Sequence, residues 1–364
     1  MQVRAAVTDT PGGPFVIQSV DLEAPRPHEV LVRIAAAGLC HTDLSMQATW
    51  PRRLTPMVFG HEGAGVVEAV GAEVTGLAPG DHVCLTFNSC GSCEQCAAGH
   101  PAYCHSQQTL NTSGGRGDGT TPLSRDGAPV HGNFFGQSSF ATFVLAHERN
   151  TIRVPADLPA VVAAPLGCGV QTGAGTVFNR LRPEPGSSLV VIGAGGVGLS
   201  ALMAANVLGC DPIIVIEPVA SRRALAIELG AKAALDPGAA DDLVTTLRDL
   251  TGGGAHHIVD TTSRSEMLRQ AVAALRPQGD LALVGIGTKV EFDVMRLLSK
   301  GARVHGVIEG DADPARFIPE LADLHQRGLL PLDRLIATFP FENIGAAVAG
   351  MRDGTAIKPV LTFD

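Results

Sequence analysis

Aromatic side chains are scarce in this sequence: one Trp, one Tyr and 13 Phe among 364 residues, 4 % of the chain. Its cores must therefore rest on Ala, Val, Leu and Ile. Charged residues are also sparse, at 17 %, and no dense basic run occurs. With 27 Lys and Arg against 36 Asp and Glu, the formal charge is -9 and the pI about 5.7. Electrostatic attraction to nucleic acid or an anionic membrane is disfavoured by that balance. Residues Met1 to Val20 lack a basic start followed by an apolar core, so no Sec signal is expected. The longest apolar run, Leu189 to Cys210, is interrupted by five glycines, Ser200 and Asn206, which argues against a membrane span. A soluble, cytoplasmic protein is the expectation. No fixed-period repeat is visible. What the chain does have is 45 % hydrophobic residues, 43 Gly and 24 Pro, a globular composition at a length that suits two domains.

Two patterns succeed each other along the chain. Up to about residue 168, short alternating strands dominate: residues 3–7, 15–17, 30–34, 63–70, 81–85 and 140–144, with Pro- and Gly-rich turns between them. Asn111 to Val130, rich in Gly, Ser, Thr and Asp, reads as a long surface loop, and its Arg116-Gly117-Asp118 tripeptide as chance. From residue 169 onward, buried-strand runs at 188–192, 213–216, 258–260, 280–284 and 303–307 alternate with helical segments. That alternation predicts a helix-covered parallel sheet. Residues 314 to 327 read as helix, and the tail returns to strand at Lys358 to Phe363.

Eight cysteines in a large chain point to metal or catalytic use and not to a disulfide framework. Four of them, Cys90, Cys93, Cys96 and Cys104, fall within fifteen residues. Two-residue gaps let thiolates converge on one tetrahedral ion, and Gly91 permits the tight turn. All four ligands are local, so the site would be closed, as in structural zinc sites. An iron–sulfur cluster and a zinc ribbon for nucleic acid are the alternatives, the latter at odds with the acidic balance. Cys84 and Cys210 read as core residues.

A second group is dispersed: Cys40-His41-Thr42-Asp43, then Gly60-His61-Glu62-x-x-Gly65 with Gly71 and Val74, and finally Gly167-Cys168-Gly169. Two sulfurs and an imidazole suit a zinc ion with its fourth position open. Downstream, Leu189-Val-Val-Ile-Gly193-Ala-Gly195-Gly196-Val197-Gly198 is a strand entering Gly-x-Gly-x-x-Gly. Its glycines permit the turn, the approach of a pyrophosphate and helix–strand packing. Glu217 ends the next strand, 19 residues after Gly198, where an acidic residue receives adenosine ribose hydroxyls.

Together these motifs resemble the zinc-dependent medium-chain alcohol dehydrogenases, over nearly the whole chain and in order. The resemblance implies α/β plus β architecture: a GroES-like β-rich catalytic domain, 1–168 and 309–364, around a Rossmann doubly wound parallel-sheet domain, 169–308. Substrate and nicotinamide would meet in the cleft between them. It implies two zinc ions and NAD as cofactors. Cys40, His61 and Cys168 match the catalytic zinc ligands, and Cys90, Cys93, Cys96 and Cys104 the structural ones. Glu62 matches an acidic residue able to approach the metal, and Asp43 the carboxylate holding the zinc-bound imidazole. Thr42 matches the hydroxyl that starts a proton relay. Many relatives carry a His as the outer relay base, where this chain has Ser45. Arg222 matches a basic residue beside the ribose, and His41 and Lys358 match pyrophosphate contacts.

Several stretches, among them residues 131–142 and 165–175, look most similar to the benzyl (aryl) alcohol dehydrogenases. The resemblance places Thr42, Trp50, Phe134, Ile286 and Ile308 near the alcohol channel and implies a flat, apolar primary alcohol and its aldehyde as the small-molecule partners. Allylic terpenoid alcohols, or a thiol adduct of formaldehyde, are the alternative substrates. Zinc-free reductases of the same superfamily lack the three ligands present here, and a non-enzymatic zinc module would leave NADH absorbance unchanged with any alcohol. A homodimer or homotetramer is expected, with neither nucleic acid nor membrane as partner.

Overall fold

The computed structural model describes residues 1–239, 241–287 and 289–363. These form two compact units, Met1–Cys168 with Asp313–Asp364, and Gly169–Ala312. Residues 309–312, assigned by the sequence to the first unit, pack within the second: Gln171 Nε2 donates to Glu309 Oε2 and Asn179 Nδ2 to the Gly310 carbonyl, each at 3.1 Å.

The first unit holds, among the described residues, two largely antiparallel sheets. One is ordered 57–58, 2–8, 16–22, 123–125, 128–130. The other runs 151–153, 82–85, 63–70, 29–38, 358–362, 336–340, with Phe143–His147 also paired to Glu29–Gly38. Lys358–Thr362 thus returns from the far end of the chain to pair antiparallel with the end of Glu29–Gly38, just before Cys40. Val30, Val32, Ile34, Val67, Val83 and Leu85 face one core with Met57, Phe59, Phe134 and Phe140. Each such aliphatic side chain contributes about 1.5–3 kcal/mol on burial.

The supposed surface loop, 111–130, is more tightly held than its composition implies. Leu123–Arg125 and Ala128–Val130 form a hairpin. Arg116 is buried, with its guanidinium on both oxygens of Glu29 at 2.6 and 3.0 Å and on Glu23 at 2.8 Å. The tripeptide there is a structural anchor.

In the second unit a six-stranded parallel sheet, counted among the described residues, runs 233–235, 213–216, 189–192, 255–260, 275–283, 303–306. The order reverses beside Leu189–Ile192, the topological switch point of a Rossmann fold. Leu189–Ile192 and Ile213–Ile216 are buried at every position, as central parallel strands with both faces covered must be. Gly196–Val207 is the helix that follows the first of them. The apolar run of membrane-like length is therefore strand, turn and helix. A second run, Ala160–Leu181, is helical throughout and long and apolar enough to cross a membrane, but 89 % of its most apolar window is buried inside the protein. It is a core helix, interrupted by π-helical turns at Leu166–Val170 and Thr176–Leu181.

Candidate metal centres and nucleotide site

The first centre draws its four candidate ligands from three segments of the first unit. Cys40 is the N-cap of helix His41–Thr49, and Asp43, at the third helical position, reaches back so that its Oδ2 accepts from the Cys40 amide at 2.9 Å. The same carboxylate's Oδ1 accepts from the Gly60 amide at 3.1 Å and from His61 Nδ1 at 2.8 Å. Asp43 and His61 are completely enclosed. With Nδ1–H spent on Asp43, the lone pair of Nε2 is the free face of the ring. Nε2 is buried without a hydrogen-bond partner, which in a protein interior costs about 1–3 kcal/mol.

Cys168 arrives on the π-helical turn Leu166–Val170, a distortion often found at functional sites. Gly167 makes that approach possible: a Cβ there would lie 2.0 Å from the Leu85 carbonyl oxygen. The Gly167 carbonyl accepts from Thr86 Oγ1 at 2.7 Å. Ligand atoms of Cys40, His61, Glu62 and Cys168 all lie within 4.8 Å of one another. Two thiols, a buried orphan nitrogen and a neighbouring carboxylate fit a zinc ion. Hydrogen bonding with Cys168, opposed by burial, holds the Cys40 thiol well below its usual range. Burial alone would lower the His61 pKa, but the Asp43 carboxylate more than offsets it, and the net shift is upward.

Around these ligands stand groups that sequence reasoning did not find. Gln137, buried, donates through Nε2 to the His61 and Thr86 carbonyls at 2.9 and 3.1 Å and accepts from the Gly63 amide at 3.0 Å. Phe135 is held at φ 51°, a left-handed conformation rare for a bulky residue, with its ring centroid 4.6 Å from that of His61. The turn-forming residues Asn133, Gly136 and Ser138 on either side were the legible signal. Lys358, expected as a pyrophosphate contact, is 5 % exposed and donates to both oxygens of Glu62 at 2.8 and 2.9 Å. Burial raises the Glu62 pKa against the pull of Lys358, and Glu62 raises that of Lys358 against burial.

The second centre is the cysteine loop. Sγ–Sγ distances are 3.9 Å for Cys90–Cys96, 3.6 Å for Cys93–Cys96 and 3.9 Å for Cys93–Cys104. A tetrahedron with Zn–S of about 2.3 Å requires sulfurs about 3.8 Å apart. Thiolates on the separate irons of a cluster would stand further apart, so the loop fits one ion. Gly91 has φ 72°, as its turn role requires. Amides of Cys90, Cys93 and Ser106 donate to the sulfurs of Cys104, Cys90 and Cys104 at 3.2, 3.3 and 3.4 Å. Amides of Ser92 and Cys93 bring the Cys90 thiol down to about 5, whereas burial pushes Cys96 up to about 12. Cys84 and Cys210 are buried in the cores as expected.

In the second unit, Gly195 is the N-cap of helix Gly196–Val207, with no side-chain cap on the first turn, where Gly196, Val197 and Gly198 lie. A Cβ on Gly195 would meet nothing within 4 Å, leaving space for a phosphate, whereas one on Gly198 would lie 1.8 Å from the Gly193 carbonyl oxygen. Glu217 follows strand Ile213–Ile216, and its carboxylate accepts from the Ala194 and Val219 amides at 2.8 and 2.9 Å. Each oxygen keeps a lone pair for a ribose hydroxyl. The uncapped amides, the open floor and the acidic strand end fit a dinucleotide. Arg222 is half-buried on helix Ala220–Glu228, and its neighbour Arg223 donates to the Glu217 and Pro218 carbonyls at 2.8 and 2.7 Å.

The remaining expected site residues are more scattered. Thr42 Oγ1 lies 3.6 Å from Cys40 Sγ. His41 and Ser45 are exposed on the same helix. The aromatic wall requires a correction. Phe134 has no exposed surface and Trp50 only 3 %, and both pack edge-on against each other and Phe59, at centroid distances of 5.1–5.8 Å. These rings belong to the core, because their apolar area is already fully buried against protein. Ile286 and Ile308, in the second unit, are 70 % and 41 % exposed.

Family models match in two stretches: an alcohol dehydrogenase GroES-like domain over residues 26–156 and a zinc-binding dehydrogenase over 196–326. The geraniol dehydrogenase of Castellaniella defragrans is 48 % identical over 100 % of this chain and 98 % of its own. The solved benzyl alcohol dehydrogenase of Acinetobacter calcoaceticus is 42 % identical, with a TM-score of 0.96 and 100 % of both chains covered. The S-(hydroxymethyl)glutathione dehydrogenase of Paracoccus denitrificans is 31 % identical over 100 % of both chains.

Proposed function

The chain belongs to the zinc-dependent medium-chain alcohol dehydrogenases, and from that premise we propose that it interconverts a primary alcohol and its aldehyde where the carbinol carbon adjoins an sp² carbon, with NAD as the hydride partner. Geraniol is allylic and benzyl alcohol benzylic, so the geraniol dehydrogenase at 48 % identity and the benzyl alcohol dehydrogenase at 42 % share that feature. The thiol adduct of formaldehyde, without such a carbon, belongs to a relative at 31 %. An allylic terpenoid alcohol is favoured over an aryl one, because Trp50 and Phe134 are core rings and supply no flat aromatic wall.

The observation that carries the zinc reading is the orphan His61 Nε2 among two thiols. Cys40, His61 and Cys168 would hold one zinc, and the four-cysteine loop a second. When bound, zinc supplies Lewis acidity that lowers an alcohol's pKa, and NAD supplies the hydride acceptor. Asp43 keeps the His61 tautomer that presents Nε2. The Thr42 hydroxyl, beside Cys40, would accept a hydrogen bond from the substrate hydroxyl and relay the proton, releasing its own as it takes the substrate's. Ser45 is exposed and its hydroxyl is no base, so water is the final proton acceptor in this reading. Glu217 receives the adenosine ribose diol, and Gly195 leaves room for the pyrophosphate.

The test is NADH formation with geraniol, benzyl alcohol and ethanol. Each buried CH₂ adds about 0.8 kcal/mol, so both unsaturated alcohols should exceed ethanol in kcat/KM by at least about 100-fold. Parity with ethanol would sink the substrate class and leave the zinc assignment standing.

A further inference from the structure

Among the candidate ligands of the first centre, Glu62 has both carboxylate oxygens committed to a buried cation. Its carboxylate is fully enclosed, yet one of its oxygens lies within 4.8 Å of the ligand atoms of Cys40, His61 and Cys168. A carboxylate so close to a dication would be expected to bind it and fill the position that a substrate needs. Lys358 Nζ opposes this by donating to Glu62 Oε1 and Oε2 at 2.8 and 2.9 Å and to the Leu39 carbonyl at 3.3 Å. All three ammonium protons are thereby used. The anchor is rigid, because strand Lys358–Thr362 pairs with Glu29–Gly38 and the Leu39 amide donates to the Pro359 carbonyl at 2.9 Å. The space is reserved as well: a Cβ on Gly38 would stand 2.0 Å from Glu62 Oε2.

We propose that Lys358 is a positioning residue that holds the Glu62 carboxylate off the metal position and so keeps the fourth coordination site open. This rests on the assignment of zinc to Cys40, His61 and Cys168, and a purified protein carrying no metal there would end that assignment first. In metal-loaded Lys358→Met the carboxylate loses its partner and should turn onto the ion, converting an open site into a closed one. Three readouts follow: kcat falls at least tenfold, zinc release to a chromogenic chelator slows at least tenfold, and the visible spectrum of the cobalt-substituted protein shifts. Lys358→Gln, which keeps a polar group at the position, should show the same spectral shift if the Met variant folds poorly. The double variant Lys358→Met/Glu62→Gln should return both the spectrum and the release rate to those of the parent. A cobalt spectrum and release rate unchanged in the single variants would overturn the proposal, whatever their Tm, because the pair would then only neutralise buried charge. Slowed release that persists in the double variant would overturn it too, since the lost lysine charge alone would be the cause.

Discussion

At the scale of single residues, one carboxylate organises the first metal centre. Asp43 receives the Cys40 amide, the Gly60 amide and His61 Nδ1, so it aligns two ligand-bearing segments at once. Loss of such a supporting group typically costs 10–100-fold in metal affinity. Asp43→Ala should therefore weaken zinc binding at this centre by about that factor, read by chelator competition, with the cysteine loop unaffected. Trp50 makes the opposite case. Its ring packs on Phe59 and Phe134, and its Nε1 donates to the Leu54 carbonyl at 2.9 Å. Trp50→Ala should cost about 3–5 kcal/mol in urea unfolding and leave the geraniol-to-ethanol ratio of kcat/KM nearly unchanged. The ligands were legible in the sequence because metal chemistry admits few residue types at few spacings. The surroundings of Glu62 were not, because nothing local to Glu62 announces a lysine 296 residues away.

Among elements, the strands at 189–192 and 213–216 were legible because full burial leaves an unbroken run of Val, Ile and Leu. The helix through Ala160–Leu181 was not. Its Pro165, Gly167, Gly169, Gly173 and Gly175 oppose helix locally, and tertiary burial overrides them. Gly167 and Gly173 would clash at 2.0 Å with the Leu85 and Val197 carbonyl oxygens if they carried a Cβ, so these glycines serve close packing. The turn at 147–150 carries a pH dependence. Burial, then the Arg149 charge and that of His28, outweigh the opposing pull of Glu148 and Glu29 and lower His147 to about 4. A depressed folded-state His pKa means the unfolded chain binds the proton first. Stability from this group is complete above about pH 6.5 and is lost as pH falls toward 4. Thermal melts should show a smaller acid loss in His147→Gln than in the parent, and equal losses would remove His147 as the source.

At the scale of the whole molecule, strand Arg303–Gly306 is the last of the parallel sheet among the described residues, and Val304, Leu298 and Met295 are 38 %, 67 % and 70 % exposed. Such an edge invites pairing with a second copy. Sedimentation should give at least a dimer, and Val304→Lys should shift it toward monomer. Glu217 bears on cofactor choice: it should favour NAD over NADP by at least about tenfold in kcat/KM, because a 2′-phosphate would meet a carboxylate already fixed by two amides. The account as a whole stands on two separable metal centres, one open and one closed. Its most direct test is elemental analysis of the purified parent and of Cys168→Ser, side by side. Two zinc ions per chain in the parent and one in an otherwise folded, inactive variant is the predicted result. One metal in both proteins, or iron in place of zinc, would contradict it.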